Sequence, residues 1–146
     1  MWPFGKGAES GKKKALVVDD DAVIRALIGD LLEAEGFEVL DAANGKDAVE
    51  IARARRPALI VMDINMPVMT GPQALDLIRH DPATKDIPVV MCSSEDTMDS
   101  VDKCLTLGAN DYVVKPFEMA RLKAKLTPYL KQPLFSPGTG TARLRP

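Results

Sequence analysis

The residues that can do chemistry in this chain stand at the ends of short apolar runs. Three aspartates, Asp19, Asp20 and Asp21, directly follow the apolar run 15–18. Adjacent carboxylates repel one another, so without a cation some of them must be protonated or must point into water. Hard divalent cations prefer oxygen ligands of this kind. The triplet therefore indicates either a cation site that also attracts phosphate, or a solvated acidic turn that caps the next helix.

Three other apolar runs end in polar residues. Asp63 follows residues 59–62, Ser93 ends the run 87–93, and Lys115 follows residues 111–114. If these side chains meet the triplet, Mg²⁺ is the favoured cation, because it commonly takes one or two carboxylates, water and a phosphate oxygen. A carboxylate beside such a cation can attack a phosphoryl group and become an acyl phosphate. Lys115, Ser93 and the cation would then each face one equatorial oxygen.

Strand-like and helix-like runs alternate along the chain and would position these residues. The strand-like runs are residues 15–18, 37–42, 58–62, 87–93 and 111–114. Short connections and right-handed crossovers predict an α/β fold, a (βα)₅ doubly wound, flavodoxin-like parallel five-stranded sheet in the order 2-1-3-4-5. Ligands of such sheets bind outside the carboxyl ends of the strands. Because strands 1, 3, 4 and 5 would be neighbours, the polar strand ends are expected to converge there.

The helix-like runs carry apolar residues at helical spacing. After the first helix, they cover residues 46–55, 72–80, 97–107 and 118–130. In the first helix the apolar face is expected to be formed by Ile24, Leu27, Ile28, Leu31 and Leu32. Asp21 stands at the N-cap of that helix and Gly36 at its C′ position. In the third helix the inward residues are expected to be Ala74, Leu75, Leu77 and Ile78.

Bulk composition limits the possible functions. With 146 residues, of which 46% are hydrophobic and 27% charged, the chain allows one globular domain with its own core. A net charge of −2 predicts no general attraction to nucleic acid or to acidic membranes. Cys92 and Cys104 have no metal or redox spacing and are expected to be reduced and buried, as in a cytoplasmic protein. No apolar run approaches the roughly 20 residues that span a membrane. We expect flexible tails at residues 1–13 and 132–146.

Four strings link these features to a known family. They are VVDDD (17–21), LIVMDINMPVMTG (59–71), PVVMCSS (88–94) and GANDYVVKPF (108–117). In order, spacing and strand context they resemble the response-regulator receiver domain of two-component signalling. The resemblance extends over residues 14–131, which is nearly the whole expected fold.

The resemblance implies a role for each polar strand end. Asp63 would be the phosphoacceptor, and Lys115 would contact the phosphoryl group. The Mg²⁺ ligands would be Asp19, Asp20, Asp63 and the backbone carbonyl of Asn65. The Lys115–Pro116 peptide bond would be cis, as in the family.

The resemblance also implies a switch. Ser93 would be the switch hydroxyl, and Tyr112 the aromatic residue that turns inward when Ser93 moves towards the phosphate. Asn65 and Glu95 occupy positions that tune the phosphoryl lifetime in this family, and the pair resembles that of chemotaxis-type regulators with short-lived phosphorylation. Ser94 stands where the family commonly has alanine, and it is still small enough to leave access for a phosphodonor.

The implied function is that of a stand-alone response regulator. A sensor histidine kinase or histidine phosphotransfer protein would phosphorylate Asp63, and the surface of the fourth helix, fifth strand and fifth helix would then engage a protein target. Nucleic acid and membrane are not expected partners. The chain would be a monomer or a phosphorylation-dependent dimer, and it would not be an enzyme beyond assisting its own phosphorylation and dephosphorylation.

Two other functional classes remain open from the sequence. Residues 19–23 satisfy the DxDxV signature of haloacid-dehalogenase-type phosphatases, with Asp19 as nucleophile and Asp21 as general acid. That assignment leaves Asp63 without a role, and the last acidic motif of that family is missing after Lys115. The other class is a receiver-like interaction module that is not phosphorylated, against which the complete acidic set and Lys115 argue.

Overall fold

A computed structural model describes residues 11–130, so most of the two expected tails, 1–13 and 132–146, lies outside the described part. Strands and helices alternate through this part, within two residues of the predicted bounds. The strands are β1 (Lys14–Val18), β2 (Glu38–Ala42), β3 (Leu59–Met62), β4 (Val89–Ser93) and β5 (Asp111–Val114). The helices are α1 (Ala22–Ala34), α2 (Gly45–Arg55), α3 (Gly71–Arg79), α4 (Met98–Thr106) and α5 (Met119–Leu130).

The strands form one parallel sheet in the order β2-β1-β3-β4-β5, which confirms the predicted topology. The register aligns the carboxyl ends of the central strands, since Val18 of β1 pairs with Met62 of β3. The next residues along these two strands are Asp19 and Asp63. The carboxylates of Asp19 and Asp63 therefore lie side by side at the carboxyl edge of the sheet, where a shared site would form.

Two apolar layers cover the sheet. Because successive strand residues point to opposite faces, Leu16 and Val18 of β1 join one buried cluster while Ala15 and Val17 join the other. Helices α2, α3 and α4 contribute to the first cluster, and α1 and α5 to the second. Within residues 11–130, no helix is long and apolar enough to span a membrane.

The ends of α1 follow the sequence pattern. The Asp21 carboxylate accepts hydrogen bonds from the backbone N–H groups of Val23 (2.9 Å) and Ile24 (3.4 Å), so it is the N-cap. Gly36, just past the C-cap, has φ +96°, a left-handed conformation that favours glycine.

Two apolar helix residues were predicted to face the core and do not. The side chains of Leu27 and Leu77 are each 46% exposed. Each directly precedes a buried isoleucine, Ile28 in α1 and Ile78 in α3. Consecutive helix residues lie about 100° apart around the axis, so the covered face of each helix is narrower than its apolar stripe.

Candidate functional site

Three carboxylates converge at the carboxyl edge of the sheet. Asp19, Asp20 and Asp63 each offer an oxygen, and these oxygens lie within 4.8 Å of one another. Asp19 and Asp63 are buried because they directly continue β1 and β3, whereas Asp20 is exposed in the loop before α1. The predicted meeting of these side chains is therefore present in the structure.

Lys115 supplies the positive charge of the cluster. Its Nζ lies 2.6 Å from Asp19 Oδ2 and 3.3 Å from Asp63 Oδ2. The residue directly follows β5, its backbone N–H donates to the Ser93 carbonyl (2.8 Å), and its bond to Pro116 is cis, as the resemblance implied. Burial disfavours the charged ammonium, but the hydrogen bond to Asp19 and the charge of Asp63 outweigh it and raise the pKa of Lys115.

The two buried carboxylates are also held by the backbone. Asp19 Oδ1 accepts from the N–H of Asp21 (2.9 Å), and Asp63 Oδ1 accepts from the N–H of Ile64 (2.6 Å). Burial raises the pKa of Asp19 in spite of its hydrogen bonds to Lys115 and Asp21. Among residues 11–130, the ammonium group of Lys115 is the one that contacts this cluster of three carboxylates, through Asp19 and Asp63.

The loop between β3 and α3 is packed tightly around Asp63. A Cβ atom on Gly71, the first residue of α3, would lie 2.1 Å from the carbonyl oxygen of Asp63. The Gly71 N–H donates to the carbonyl of Ile64 at 2.8 Å. Glycine at this position allows the helix terminus to approach the backbone of Asp63, and it therefore helps to set where that carboxylate lies.

Ser93 and Tyr112 belong to a second group of contacts. Ser93, at the end of β4, is fully buried, and its Oγ accepts from the N–H of Glu95 at 3.3 Å. Tyr112 is 7% exposed, and its hydroxyl donates to the Glu95 carbonyl at 2.5 Å. Burial raises the pKa of Tyr112 to about 12, so the phenol stays protonated and donates. The ring is therefore buried and is not exposed on the surface.

The side chain of Glu95 joins two loops. Its Oε2 accepts from Asn65 Nδ2 (3.0 Å), and its Oε1 accepts from Ser100 Oγ (3.1 Å) in the first turn of α4. Together with the backbone contacts of Glu95 to Ser93 and Tyr112, these bonds connect the Asp63 loop to α4. The resemblance implied roles for Asn65 and Glu95 but none for Ser100, whose spacing from Glu95 carries no distinctive signal.

The donor set fits a hard divalent cation. Carboxylate oxygens from Asp19, Asp20 and Asp63 are the ligand type that Mg²⁺ prefers. The three carboxylates together carry more negative charge than the Lys115 ammonium can neutralise, which favours a further cation. Asp21 does not belong to this set, because its carboxylate caps α1.

The chain matches the family model of the response regulator receiver domain over residues 15–127. Similar curated proteins include the transcriptional regulatory protein PrrA of Mycobacterium tuberculosis, 39% identical over 119 residues that cover 82% of this chain and 50% of PrrA. The phosphate regulon transcriptional regulatory protein PhoB of Pseudomonas aeruginosa is 36% identical over 120 residues, which cover 82% of this chain and 52% of PhoB. The chain thus spans about half the length of these relatives.

Solved structures give the same family. The chemotaxis response regulator CheY4 of Vibrio cholerae is 33% identical, with a TM-score of 0.75 over 81% of this chain and 98% of CheY4. The receiver domain of a sensor histidine kinase from Pseudomonas aeruginosa, solved with a magnesium ion in its active site cleft, is 30% identical. Its TM-score is 0.75, over 83% of this chain and 99% of that domain. With the family model matched over nearly the whole described fold, this chain belongs to the response regulator receiver domain family.

Proposed function

We propose that this receiver domain accepts a phosphoryl group on Asp63 from a sensor histidine kinase or a histidine phosphotransfer protein, and that phosphorylation changes a surface that binds a protein target. The observation that carries the proposal is the convergence of Asp19, Asp20 and Asp63 within 4.8 Å, with Lys115 Nζ 3.3 Å from Asp63. A buried carboxylate beside an ammonium group and two further carboxylates suits phosphoryl acceptance better than a structural ion pair, which needs one partner of each sign.

In the proposed reaction an oxygen of Asp63 attacks the phosphorus. The new oxygen–phosphorus bond forms as the bond from phosphorus to the donor imidazole nitrogen breaks, and the electron pair stays on the imidazole. Lys115 stabilises the negative charge of the phosphoryl oxygens from its position beside Asp63. Asp19, Asp20, Asp63 and the backbone carbonyl of Asn65 would hold Mg²⁺. When bound, Mg²⁺ neutralises charge on the carboxylates and phosphoryl oxygens.

The proposed switch uses the second group of contacts. Ser93 would donate its hydroxyl to a phosphoryl oxygen, and Tyr112 would hold the inward orientation through the Glu95 carbonyl. Support comes from the Tyr112–Glu95 hydrogen bond of 2.5 Å and from the bond between Glu95 and Ser100 in α4. The state of the phosphorylation site would thereby reach the surface formed by α4, β5 and α5, where we place the downstream protein target.

The Asn65–Glu95 pair is proposed to set the phosphoryl lifetime. Their hydrogen bond of 3.0 Å holds the two side chains together, and Asn65 lies two residues beyond Asp63. We expect a short lifetime, as in the chemotaxis-type regulators that this pair resembles. An autodephosphorylation half-life of many hours for the wild-type chain would contradict this part of the proposal.

An apolar cavity beside Lys115 supports docking of a protein phosphodonor. It measures about 440 Å³ and is lined by Ile24, Leu27, Ser94, Lys115, Pro116, Phe117 and Met119. The Leu27 side chain is exposed and does not belong to the core, which is consistent with a contact surface for another protein.

The remaining parts of the proposal follow from the receiver assignment. We infer a signalling module without turnover of a substrate, acting in the cytoplasm, with domain bounds at residues 14–131. The phosphatase alternative would need Asp21 as general acid, and that carboxylate accepts hydrogen bonds from the first turn of α1. We expect a monomer or a phosphorylation-dependent dimer, and no nucleic-acid contact by this domain.

The decisive experiment is incubation with a small phosphodonor, such as acetyl phosphate, in the presence of Mg²⁺. Wild-type protein should acquire one acid-stable, base-labile acyl phosphate, and Asp63→Asn should acquire none. Asp21→Asn is the matched control, because the Asp21 carboxylate caps α1 and lies outside the cluster of Asp19, Asp20 and Asp63. This variant should leave labelling intact. Labelling that persists in Asp63→Asn would refute the proposal, and steady donor hydrolysis abolished by Asp19→Asn would support the phosphatase instead.

A phosphate mimic separates phosphorylation from a purely structural module. Beryllofluoride with Mg²⁺ should shift the backbone amide resonances of α4 and β5 in wild-type protein. Absence of any such change would favour the receiver-like module that is not phosphorylated.

A further inference from the structure

Asp19 is held by contacts from four parts of the chain. Its Oδ2 accepts from Lys115 (2.6 Å), and its Oδ1 accepts from the N–H of Asp21 (2.9 Å). Its own N–H donates to the Ala42 carbonyl in β2 at 3.1 Å. The fourth contact is made by Arg25 of α1, whose Nη1 donates to the Asp19 carbonyl at 2.7 Å. The proposed function gives no role to Arg25.

The position of Arg25 is not explained by its own helix. It is the fourth residue of α1, near the N-terminus, where the helix dipole disfavours a cation. Its Nε also lies 3.3 Å from Asp41 Oδ2, but the Asp41 side chain is 64% exposed and such a pair contributes little. The short, charge-assisted hydrogen bond to the Asp19 carbonyl is the contact that accounts for the guanidinium.

The Asp19 carbonyl belongs to the peptide group that joins Asp19 to Asp20. Holding this oxygen restricts the orientation of the peptide from which both carboxylates project. Restriction matters here because the loop contains adjacent carboxylates that repel one another, and Asp20 is exposed. A loop free to turn would move the Asp20 carboxylate away from Asp63.

We propose that Arg25 is a positioning residue for the divalent cation at the acidic cluster: by holding the Asp19 carbonyl, it keeps the carboxylates of Asp19 and Asp20 oriented for joint coordination. This inference rests on the proposed Mg²⁺-dependent function. The direction of the expected change in Mg²⁺ affinity identifies its cause. Removing a nearby positive charge would by itself strengthen Mg²⁺ binding, so weaker binding without Arg25 indicates that the carboxylates have lost their orientation.

The test is calorimetric titration of the full chain with Mg²⁺. Arg25→Ala should raise the Kd about tenfold, as expected for loss of a residue that orients metal ligands. Arg25→Lys, which keeps one donor, should recover part of the affinity. Asp41→Asn is the matched control: it removes the ion pair with Arg25, keeps the guanidinium, and should change the Kd by less than about twofold. Melting curves without Mg²⁺ check that each variant folds.

The outcomes separate clearly. Unchanged or tighter Mg²⁺ binding by Arg25→Ala would overturn the inference while leaving the proposed function in place. An equal loss of affinity in Asp41→Asn would also overturn it, since Arg25 would then act by anchoring α1 to β2. If wild-type protein bound no Mg²⁺ at all, both this inference and the proposed function would fail.

The variants of Arg25 are expected to fold. A solvent-accessible cavity of about 290 Å³ lies beside Arg25, so truncation of the side chain leaves no sealed void.

Discussion

Replacing Gly71 by alanine should disturb both the stability of the domain and the position of Asp63. The added Cβ would lie 2.1 Å from the Asp63 carbonyl oxygen and 2.9 Å from Met91 Cε. The flexible methionine terminus can move, but the carbonyl belongs to the backbone that continues β3. The helix or the Asp63 peptide must therefore shift by about 1 Å, at an overpacking cost of about 3 kcal/mol. We expect a fall in Tm of roughly 10 °C.

The same shift should slow phosphorylation of Asp63 by acetyl phosphate at least about tenfold, because displacements of this size misalign reacting groups. Gly29→Ala is the control for alanine in a helix, since its Cβ would contact only Val39 Cγ1, at 3.5 Å. That variant should be as stable as wild type or slightly more stable. Chemical denaturation and single-turnover phosphorylation are the measurements. Wild-type stability in Gly71→Ala, or normal phosphorylation in a destabilised Gly71→Ala, would refute the reasoning.

Three further predictions concern other parts of the fold. Arg79→Met should lower the free energy of unfolding by about 3 kcal/mol in urea denaturation, because four hydrogen bonds of the guanidinium are lost. Their acceptors are the carbonyls of Lys85, Ile87 and Gly108 and Asn110 Oδ1. Mg²⁺ affinity should stay unchanged, since these bonds lie at the opposite end of the sheet. Val68→Asn should raise stability by about 0.5–1 kcal/mol, because Val68 is β-branched, 76% exposed and held at φ +70°; a lower Tm would contradict this. Leu27→Ser should slow phosphotransfer from a histidine phosphotransfer protein several-fold and leave labelling by acetyl phosphate unchanged, which paired kinetic assays would check; equal slowing with both donors would exclude a docking role.

Much of the fold could be read from local patterns. Buried parallel strands appear as apolar runs, and helices as apolar residues three and four apart, because each pattern depends only on backbone geometry. The N-cap at Asp21 and the C′ position of Gly36 are predicted for the same reason, and Gly36 is left-handed in the structure. The edge at which Asp19, Asp63 and Lys115 meet followed from strand order, since parallel strands place their carboxyl ends together.

Side-chain direction and long-range hydrogen bonds required the tertiary structure. Leu27 and Leu77 carry the same local pattern as their buried neighbours, and only the packing of each helix against the sheet decides which residue is covered. The bond from Glu95 to Ser100 depends on how the loop after β4 turns into α4.

The sequence by itself determined the class of site, because strand-end carboxylates, a hydroxyl and a lysine define the chemistry wherever a parallel sheet gathers them. The sequence pattern placed Asp21 at the N-cap of α1, and the resemblance assigned Asp19 and Asp20 to the cation; only the tertiary structure gives the contacts that each of them makes. Asp19 and Asp20 lie in a cluster with Asp63, whereas the Asp21 carboxylate caps α1. Arg25 donates a hydrogen bond to the Asp19 carbonyl. The physical reason is that a contact such as the hydrogen bond from Arg25 to the Asp19 carbonyl depends on the relative position of separately packed elements, which no local residue pattern encodes.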